Sequence, residues 1–158
     1  MTYTYSFFLQ QTIKLAVKST QIHKGGPFAA IICRDQNIIA TGINNVTCNN
    51  DPTAHAEIMA IRNACSQLNT FQLKDCVLYS SCEPCPMCLG AIYWARIKQV
   101  YFACNRYDAA LAGFDDSFIY DEIAMLAEQR KIPMQHIKLK ESLDPFNAWQ
   151  TQENKIPY

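Results

Sequence analysis

The stretch at residues 76–95, CVLYSSCEPCPMCLGAIYWA, predicts a buried strand that passes directly into a helix. Its first part, Cys76–Ser81, is typical of a strand, and Leu89–Ala95 is typical of a helix. Pro84 suits the first turn of that helix, because the N–H group that proline lacks has no intrahelical partner there. In α/β sheets, sites gather where strand ends meet helix N-termini, so we expect the functional site at this junction.

The rest of the chain alternates between helical and strand patterns after an initial hairpin, with a polar loop at residues 44–51. Asp51 is expected to cap a helix that begins near Pro52. The other predicted elements are a helix at residues 6–19, strands at Phe28–Cys33, Ile38–Gly42, Val100–Ala103 and Met134–Leu139, and a helix at Phe118–Glu128. Together they predict an α/β fold with a five-stranded mixed sheet between layers of helices.

The composition fits one domain, residues 1–158, with 49% hydrophobic and 18% charged residues. No apolar run approaches the roughly 18 residues of a membrane span, and the N-terminal stretch lacks the basic region of a signal peptide. We therefore expect a cytoplasmic protein without a membrane partner. Lys plus Arg and Asp plus Glu are equal at 14 each, which disfavours a nucleic-acid partner.

Three of the eight cysteines stand at C-x2-C-x2-C spacing, as Cys82, Cys85 and Cys88. On a helix that begins near Pro84, Cys85 and Cys88 occupy positions i and i+3 of one face, so both can hold one ion. The positive partial charge at a helix N-terminus favours their thiolate forms. Cys82 precedes the turn, and the sequence does not fix the direction of its side chain.

A third ligand for the same ion stands upstream in the segment PTAHAE, residues 52–57. His55 falls in the first turn of the second predicted helix, and Glu57 follows two positions later on a different side of it. His55, Cys85 and Cys88 suit zinc and leave a fourth position for water, whose pKa zinc lowers towards about 7. Glu57 is then free to act as the acid and base.

Two other metal sites compete with this interpretation. Cys82 as a fourth ligand would close a structural Cys3His site and leave a catalytically silent zinc protein. An iron–sulfur cluster would need another thiolate, and the remaining cysteines lack a suitable spacing.

The combination of H-A-E with P-C-P-M-C matches the signature of zinc-dependent nucleobase deaminases. Beyond it, the chain resembles the bacterial guanine deaminases of the cytidine/deoxycytidylate deaminase-like superfamily. The segments that carry this resemblance are GGPF at Gly25–Phe28, NNVT at Asn44–Thr47, NDPTAHAE at Asn50–Glu57, SCEPCPMCLGAIYWAR at Ser81–Arg96, AGFDDSFIY at Ala112–Tyr120, PF-x-AW at Pro145–Trp149 and the terminal tyrosine. The resemblance implies a three-layer α/β/α fold, a Zn²⁺ cofactor and the hydrolysis of guanine to xanthine and ammonia.

The resemblance also implies roles for single residues. Glu57 corresponds to the proton shuttle, Asn44 to an amide that contacts the base, and Asp116 to a carboxylate for substrate recognition and proton handling. An ionised carboxylate can accept the N–H groups that guanine presents at N1 and at its amine. One of Asp115 and Asp116 is expected only to cap the next helix.

Members of this family form homodimers in which the C-terminal segment, about residues 141–158 here, crosses to the partner. By this resemblance Tyr158 closes the pocket. Phe28, Trp94 and Phe114 are candidates for stacking on a purine, with a place in the hydrophobic core as the alternative for each. Ala29 stands where glycine often follows GGPF, a departure that bears on substrate fit. The alternative deaminase functions are those of a tRNA adenosine deaminase or a cytosine deaminase, which use the same chemistry.

Overall fold

The computed structural model describes residues 4–22 and 25–158, and the chain divides into two compact units, Met1–Ser117 and Phe118–Tyr158. The expectation of one domain stays a prediction. The first unit contains helices α1 (Tyr5–Ile22), α2 (Val46–Asn49), α3 (Ala56–Leu68), α4 (Pro86–Trp94) and α5 (Arg106–Leu111), and strands β1 (Ala29–Arg34), β2 (Asn37–Ile43), β3 (Cys76–Cys82) and β4 (Gln99–Cys104). Helix α6 (Ser117–Ala124) begins at its last residue.

The sheet formed by the described residues has four strands in the order β2-β1-β3-β4. Strand β1 pairs antiparallel with both β2 and β3, whereas β3 and β4 are parallel. Helix α4 connects the two parallel strands, which need a crossover connection. The mixed character predicted for the sheet is therefore confirmed.

The hairpin of β1 and β2 is confirmed as well, with the two-residue turn Asp35-Gln36. Both turn residues have positive φ angles, 49° and 64°. Turns of this kind match the right-handed twist of the flanking strands.

Helices cover both faces of the sheet. Ala30 and Ile32 of β1 belong to a buried cluster that includes residues of α3 and α4. The alternate residues, Ile31 and Cys33, pack with Phe8 of α1 on the other face. This alternation confirms the predicted α/β layering, with α1 on one side and α3 and α4 on the other.

Strand β2 approaches the beginning of α3 backbone to backbone at Gly42. A Cβ atom there would lie 2.1 Å from the carbonyl oxygen of Ala56 and 2.4 Å from the backbone nitrogen of Ala60. Only a residue without a side chain fits such an approach. Gly42 therefore sets how closely the N-terminus of α3 lies to the sheet.

The fifth strand, predicted at Met134–Leu139, is wrong. Ile137 is 72% exposed and Leu139 is 62% exposed, so the alternating pattern buries no face. The backbone N–H of Met134 donates to the carbonyl of Ala127, and that of Leu139 donates to the Ser142 hydroxyl. Because these donors are used locally, the alternation of apolar residues produces an irregular segment instead of a ladder.

The predicted start of the second long helix is also wrong. Helix α3 begins at Ala56, with His55 at the N-cap position instead of in the first turn. The Asp51 carboxylate accepts hydrogen bonds from the backbone N–H and hydroxyl of Thr53, which orders a turn ahead of the helix. Helix α4 similarly begins at Pro86, with Cys85 at its N-cap position.

Three short helices were not predicted: α2, which lies in the expected polar loop, α5 and, in the second unit, α7 (Asp144–Thr151). Helix α5 has a local signal, because Asn105 and Asp108 form a reciprocal capping box. In the second unit α6 is followed by a 3-10 turn at Ala127–Gln129, and the Arg130 guanidinium donates to the carbonyls of Ile123 and Met125.

Of the helices in the described residues, none has the length and hydropathy that crossing a membrane requires.

Candidate active site

A cavity of about 330 Å³ opens in the first unit near the C-terminal end of β3. Its lining includes seven sequence-predicted residues, namely Phe28, Asn44, His55, Glu57, Cys85, Phe114 and Asp116. Helix α3 and helix α4 both direct their N-termini to this region, because His55 and Cys85 are their N-cap residues. The predicted junction of strand end and helix N-terminus is therefore where the cavity lies.

His55, Cys85 and Cys88 come together in the structure, and their ligand atoms all lie within 4.8 Å of one another. The Nδ1 atom of His55 lies 3.5 Å from Sγ of Cys85 and 3.6 Å from Sγ of Cys88. One imidazole nitrogen and two thiols are a donor set that zinc prefers. The residues present thus fit a zinc ion with three protein ligands.

Hydrogen bonds within this group shift the pKa values of its members. The thiol of Cys88 lowers the pKa of Cys85 by hydrogen bonding, and His55 adds to this effect. The same pairing with Cys85 raises the pKa of His55. Metal ligands must give up their protons, and a bound cation would take the place of the protons that these side chains share.

Glu57 lies beside the three ligand residues but is held differently. It is 6% exposed, and the burial raises the pKa of its carboxyl group. One oxygen, Oε1, accepts a 2.9 Å hydrogen bond from the Ser80 hydroxyl, and Oε2 lies 3.5 Å from Sγ of Cys88. A buried carboxyl group next to a metal-binding group is well placed to carry protons.

Cys82 lines the cavity without joining the group of His55, Cys85 and Cys88. Its thiol donates to the carbonyl of Asn105 at 3.6 Å, and burial raises its pKa to about 11. The Cys82 sulfur is engaged by the Asn105 carbonyl and does not belong to the group of ligand atoms formed by His55, Cys85 and Cys88. This position favours the open site over the closed Cys3His alternative.

Asn44 is buried at the cavity wall with its amide held in one orientation. Its Oδ1 atom accepts hydrogen bonds from the backbone N–H groups of Gly26 and Val46, each at 3.3 Å. Because the oxygen is engaged, the NH2 group is the part of the amide that can serve a ligand. Asn44 therefore offers the cavity a hydrogen-bond donor.

Asp115 and Asp116 both line the cavity, yet their environments differ. Asp115 accepts a 2.9 Å hydrogen bond from the backbone N–H of Ser117, the first residue of α6, and this bond lowers its pKa. The pKa of Asp116 is raised, mainly by burial and then by its proximity to Cys85. Asp115 thus makes a hydrogen bond at the start of α6, as expected for a structural role. The pKa of Asp116, in contrast, is affected by Cys85, one of the three candidate metal ligands.

The predicted aromatic residues are not brought together as a set. Phe28 and Phe114 meet edge to face with ring centroids 4.9 Å apart and line the cavity. Trp94, at the end of α4, is 66% exposed and is not among the described residues of the cavity wall. Tyr158 is the last residue of the second unit and 74% exposed, and its role stays a prediction.

Three polar residues of the cavity wall, and the residue that holds Glu57, were not identified from the sequence. Thr47, Glu83 and Arg106 line the cavity, and a carboxylate oxygen of Glu83 accepts a hydrogen bond from the backbone N–H of Arg106. Glu83 lies inside the cysteine motif, and this position could have indicated that it lines the cavity. Ser80 offered none, because a serine within a buried strand shows its partner only in three dimensions.

Comparisons with known proteins agree with this geometry. Residues 2–104 match the family model described as the cytidine and deoxycytidylate deaminase zinc-binding region. The guanine deaminase of Bacillus subtilis (strain 168) is 58% identical over 96% of this chain and 97% of its own length. A crystal structure of guanine deaminase from Bacillus subtilis superposes with a TM-score of 0.97, at 56% identity over 99% of each chain.

A second kind of relative is more distant. The tRNA-specific adenosine deaminase of Haemophilus influenzae is 41% identical over 57% of this chain and 56% of its own length. The family model covers the sheet and both helix N-termini that carry His55 and Cys85. The chain therefore belongs to the cytidine and deoxycytidylate deaminase zinc-binding family.

Proposed function

We propose that this chain is a zinc-dependent aminohydrolase that converts guanine and water to xanthine and ammonia. The observation that carries the proposal is the buried carboxyl group of Glu57 beside the group of His55, Cys85 and Cys88, within one cavity. A chain so similar to a guanine deaminase over nearly all of its length supports guanine as the substrate.

In this proposal His55, Cys85 and Cys88 hold zinc, which when bound supplies the Lewis acidity that lowers the pKa of a water molecule. Their placement at two helix N-termini fixes the three ligand atoms relative to the sheet. Cys82, with its thiol turned to the carbonyl of Asn105, leaves the ligand set at three.

Glu57 moves the protons of the reaction. The water oxygen forms a bond to C2 of guanine, and the bond from C2 to the amino nitrogen breaks. Glu57 takes a proton from the water and passes it to the ring nitrogen beside C2, and the second water proton leaves with the amine as ammonia. The atoms and charges of guanine and water are then those of xanthine and ammonia.

Asp116 and Asn44 recognise the base by complementary hydrogen bonds. The Asp116 carboxylate accepts from the N1 and amino groups of guanine, which are donors. The amide of Asn44, whose oxygen is engaged by Gly26 and Val46, donates to an acceptor on the purine. Cytosine and adenine carry an unprotonated ring nitrogen beside the amino group and do not present this pair of donors to Asp116.

The cavity favours a free base over a nucleic acid. Phe28 and Phe114 provide an apolar wall for a flat ring, and the formal net charge of zero gives no general attraction for phosphates. The tRNA-specific relative aligns with only 57% of this chain, in contrast to the full-length match with a guanine deaminase. A purine base is therefore the proposed partner, in a cytoplasmic role in purine catabolism.

We further propose a homodimer in which the segment of about 141–158 crosses to the partner and Tyr158 closes the partner's cavity. The high exposure of Tyr158 in the single chain is compatible with this. Light scattering should give twice the 18.0 kDa mass of one chain. A fully active monomer would contradict the swapped arrangement.

An assay of the purified, zinc-loaded protein tests the function. Guanine, guanosine, adenine and cytosine are supplied separately, and ammonia release and the change in ultraviolet absorbance are measured. We expect rapid turnover of guanine to xanthine. Absence of guanine turnover, together with rapid turnover of adenine or cytosine, would contradict the proposal.

A further inference from the structure

The side chain that holds Glu57 in place belongs to the sheet and not to the metal-binding group. Ser80 lies in β3, is 1% exposed, and donates from its hydroxyl to Oε1 of Glu57 at 2.9 Å. The two residues are 23 positions apart in the sequence. A hydrogen bond at this distance is directional, and because it is buried, its loss would leave the carboxylate oxygen without that donor.

We propose that Ser80 is a positioning residue for the reaction, which fixes Oε1 of Glu57 so that Oε2 alone faces the reacting atoms. This inference rests on the proposed deaminase function. Ser80 does not touch the substrate in this role. It determines which of the two carboxylate oxygens carries protons and where that oxygen lies.

The difference between the two oxygens is visible in their contacts. Oε1 accepts from Ser80, on the sheet side, whereas Oε2 lies 3.5 Å from Sγ of Cys88, on the side of the candidate metal site. The carboxylate of Glu57 is thus oriented with Oε1 towards strand β3 and Oε2 towards the candidate metal site.

The contact with Ser80 gains importance when zinc is bound. Cys88 donates its thiol proton to Oε2 in the structure, but as a zinc ligand it is a thiolate and has no proton to donate. The side-chain hydrogen bond from Cys88 is then lost. Of the two side-chain donors that hold Glu57, Ser80 is the one that remains.

Ser80 is itself anchored on both sides. It pairs with Ala30 of β1 and with Phe102 of β4, so its backbone belongs to the middle of the sheet. A hydroxyl on a doubly paired strand moves less than one on a loop. The hydrogen bond therefore fixes the carboxylate of α3 relative to the strand that leads into the cysteine motif.

The next residue, Ser81, provides a matched control. It is also a buried serine of β3, but its hydroxyl accepts a 3.1 Å hydrogen bond from the backbone N–H of Ala29 and does not contact Glu57. Removing the hydroxyl of Ser81 takes away a buried hydrogen bond without changing the support of the carboxylate. If Ser80 had only a structural role, Ser80→Ala and Ser81→Ala should both lower Tm and leave kcat unchanged.

The test compares Ser80→Ala, Ser80→Thr and Ser81→Ala with the wild-type protein, each loaded with zinc. We expect Ser80→Ala to lower kcat for guanine about 10- to 100-fold, since small misplacements of catalytic groups have effects of this size. KM and zinc content should stay at wild-type values. Ser80→Thr keeps the hydroxyl and should recover most of kcat, and Ser81→Ala should lower Tm without lowering kcat.

The outcomes separate this inference from the proposed function. If the wild-type protein does not deaminate guanine, the proposed function fails and this inference fails with it. If the wild type is active and Ser80→Ala keeps its kcat, the positioning role alone is refuted. Should threonine prove too large to fold at this site, a crystal structure of Ser80→Ala decides: an unmoved Glu57 carboxylate would also refute the role.

Discussion

The Nδ1 atom of His55 lies 3.5 Å from Sγ of Cys85, although the two residues are 30 positions apart. Each is the N-cap residue of a helix, and the two helices pack on the same face of the sheet. The candidate metal site is thus formed where α3 and α4 begin, and substitutions of its residues should have separable effects.

Removal of the metal should abolish turnover and lower stability. Chelation is expected to lower Tm, because zinc at a thousand times its Kd stabilises the folded state by about 4 kcal/mol, and added zinc should restore both properties. His55→Ala should behave like the chelated protein, with a loss of bound zinc measured by atomic emission. Cys48→Ser, at an exposed cysteine, is the control and should retain zinc.

The change Glu57→Gln should separate proton transfer from metal binding. The amide has nearly the same shape as the carboxylate but cannot shuttle protons, so we expect kcat to fall by about 10²- to 10⁴-fold. Zinc content should be unchanged. The same change at exposed Glu128 should leave kcat at the wild-type value, and a loss of zinc from Glu57→Gln would show instead that Glu57 supports the metal site.

Replacement by serine should have opposite effects on zinc content at Cys82 and at Cys88. Cys82→Ser keeps a donor for the carbonyl of Asn105, so zinc and turnover should both persist. Cys88→Ser removes a soft ligand and should release zinc. Zinc content measured on both variants decides the matter, since loss of zinc from Cys82→Ser would establish a fourth ligand and a closed site.

Much of this arrangement was predictable because its signals are local. The neighbouring strand patterns at Phe28–Cys33 and Ile38–Gly42 indicated the hairpin, and the spacing of Cys85 and Cys88 indicated a shared ion. Segment Met134–Leu139 misled because alternation of apolar residues specifies a strand only where a neighbouring strand and a buried face are available.

Other features depend on distant parts of the chain. The hydrogen bond from Ser80 to Glu57 and the close approach of Gly42 to Ala56 join elements whose relative position no local pattern specifies. The predicted start of α3 is wrong for a different, local reason: the Asp51 carboxylate accepts hydrogen bonds from Thr53, and this turn competes with helix capping.

Alanine substitutions at Asp116 and Asp115 should affect different properties: the first should lower kcat/KM, and the second should mainly lower stability. Loss of an ionised acceptor for guanine at Asp116 is expected to lower kcat/KM about 10- to 140-fold, which corresponds to about 1.5–3 kcal/mol. Asp115→Ala removes the acceptor of the hydrogen bond from the backbone N–H of Ser117 and should lower Tm, with a smaller effect on kcat/KM. Steady-state kinetics and thermal unfolding of both variants distinguish the roles, and equal kinetic losses would contradict them.

A change from glycine to alanine should have opposite effects on stability at Gly42 and at Gly90. A Cβ atom at Gly42 would lie 2.1 Å from the carbonyl oxygen of Ala56, so Gly42→Ala must push α3 away from β2. We expect a loss of about 1–3 kcal/mol in the free energy of unfolding, the usual range for overpacking.

Because His55 and Glu57 begin that helix, Gly42→Ala should also weaken zinc binding and lower kcat, although it touches neither residue. At Gly90, within α4, an added Cβ would meet no described atom within 4 Å, and alanine should stabilise the helix by about 0.5–1 kcal/mol. Denaturant unfolding and zinc titration of both variants test the contrast. Wild-type stability and zinc affinity in Gly42→Ala would show that the position of α3 does not depend on this approach.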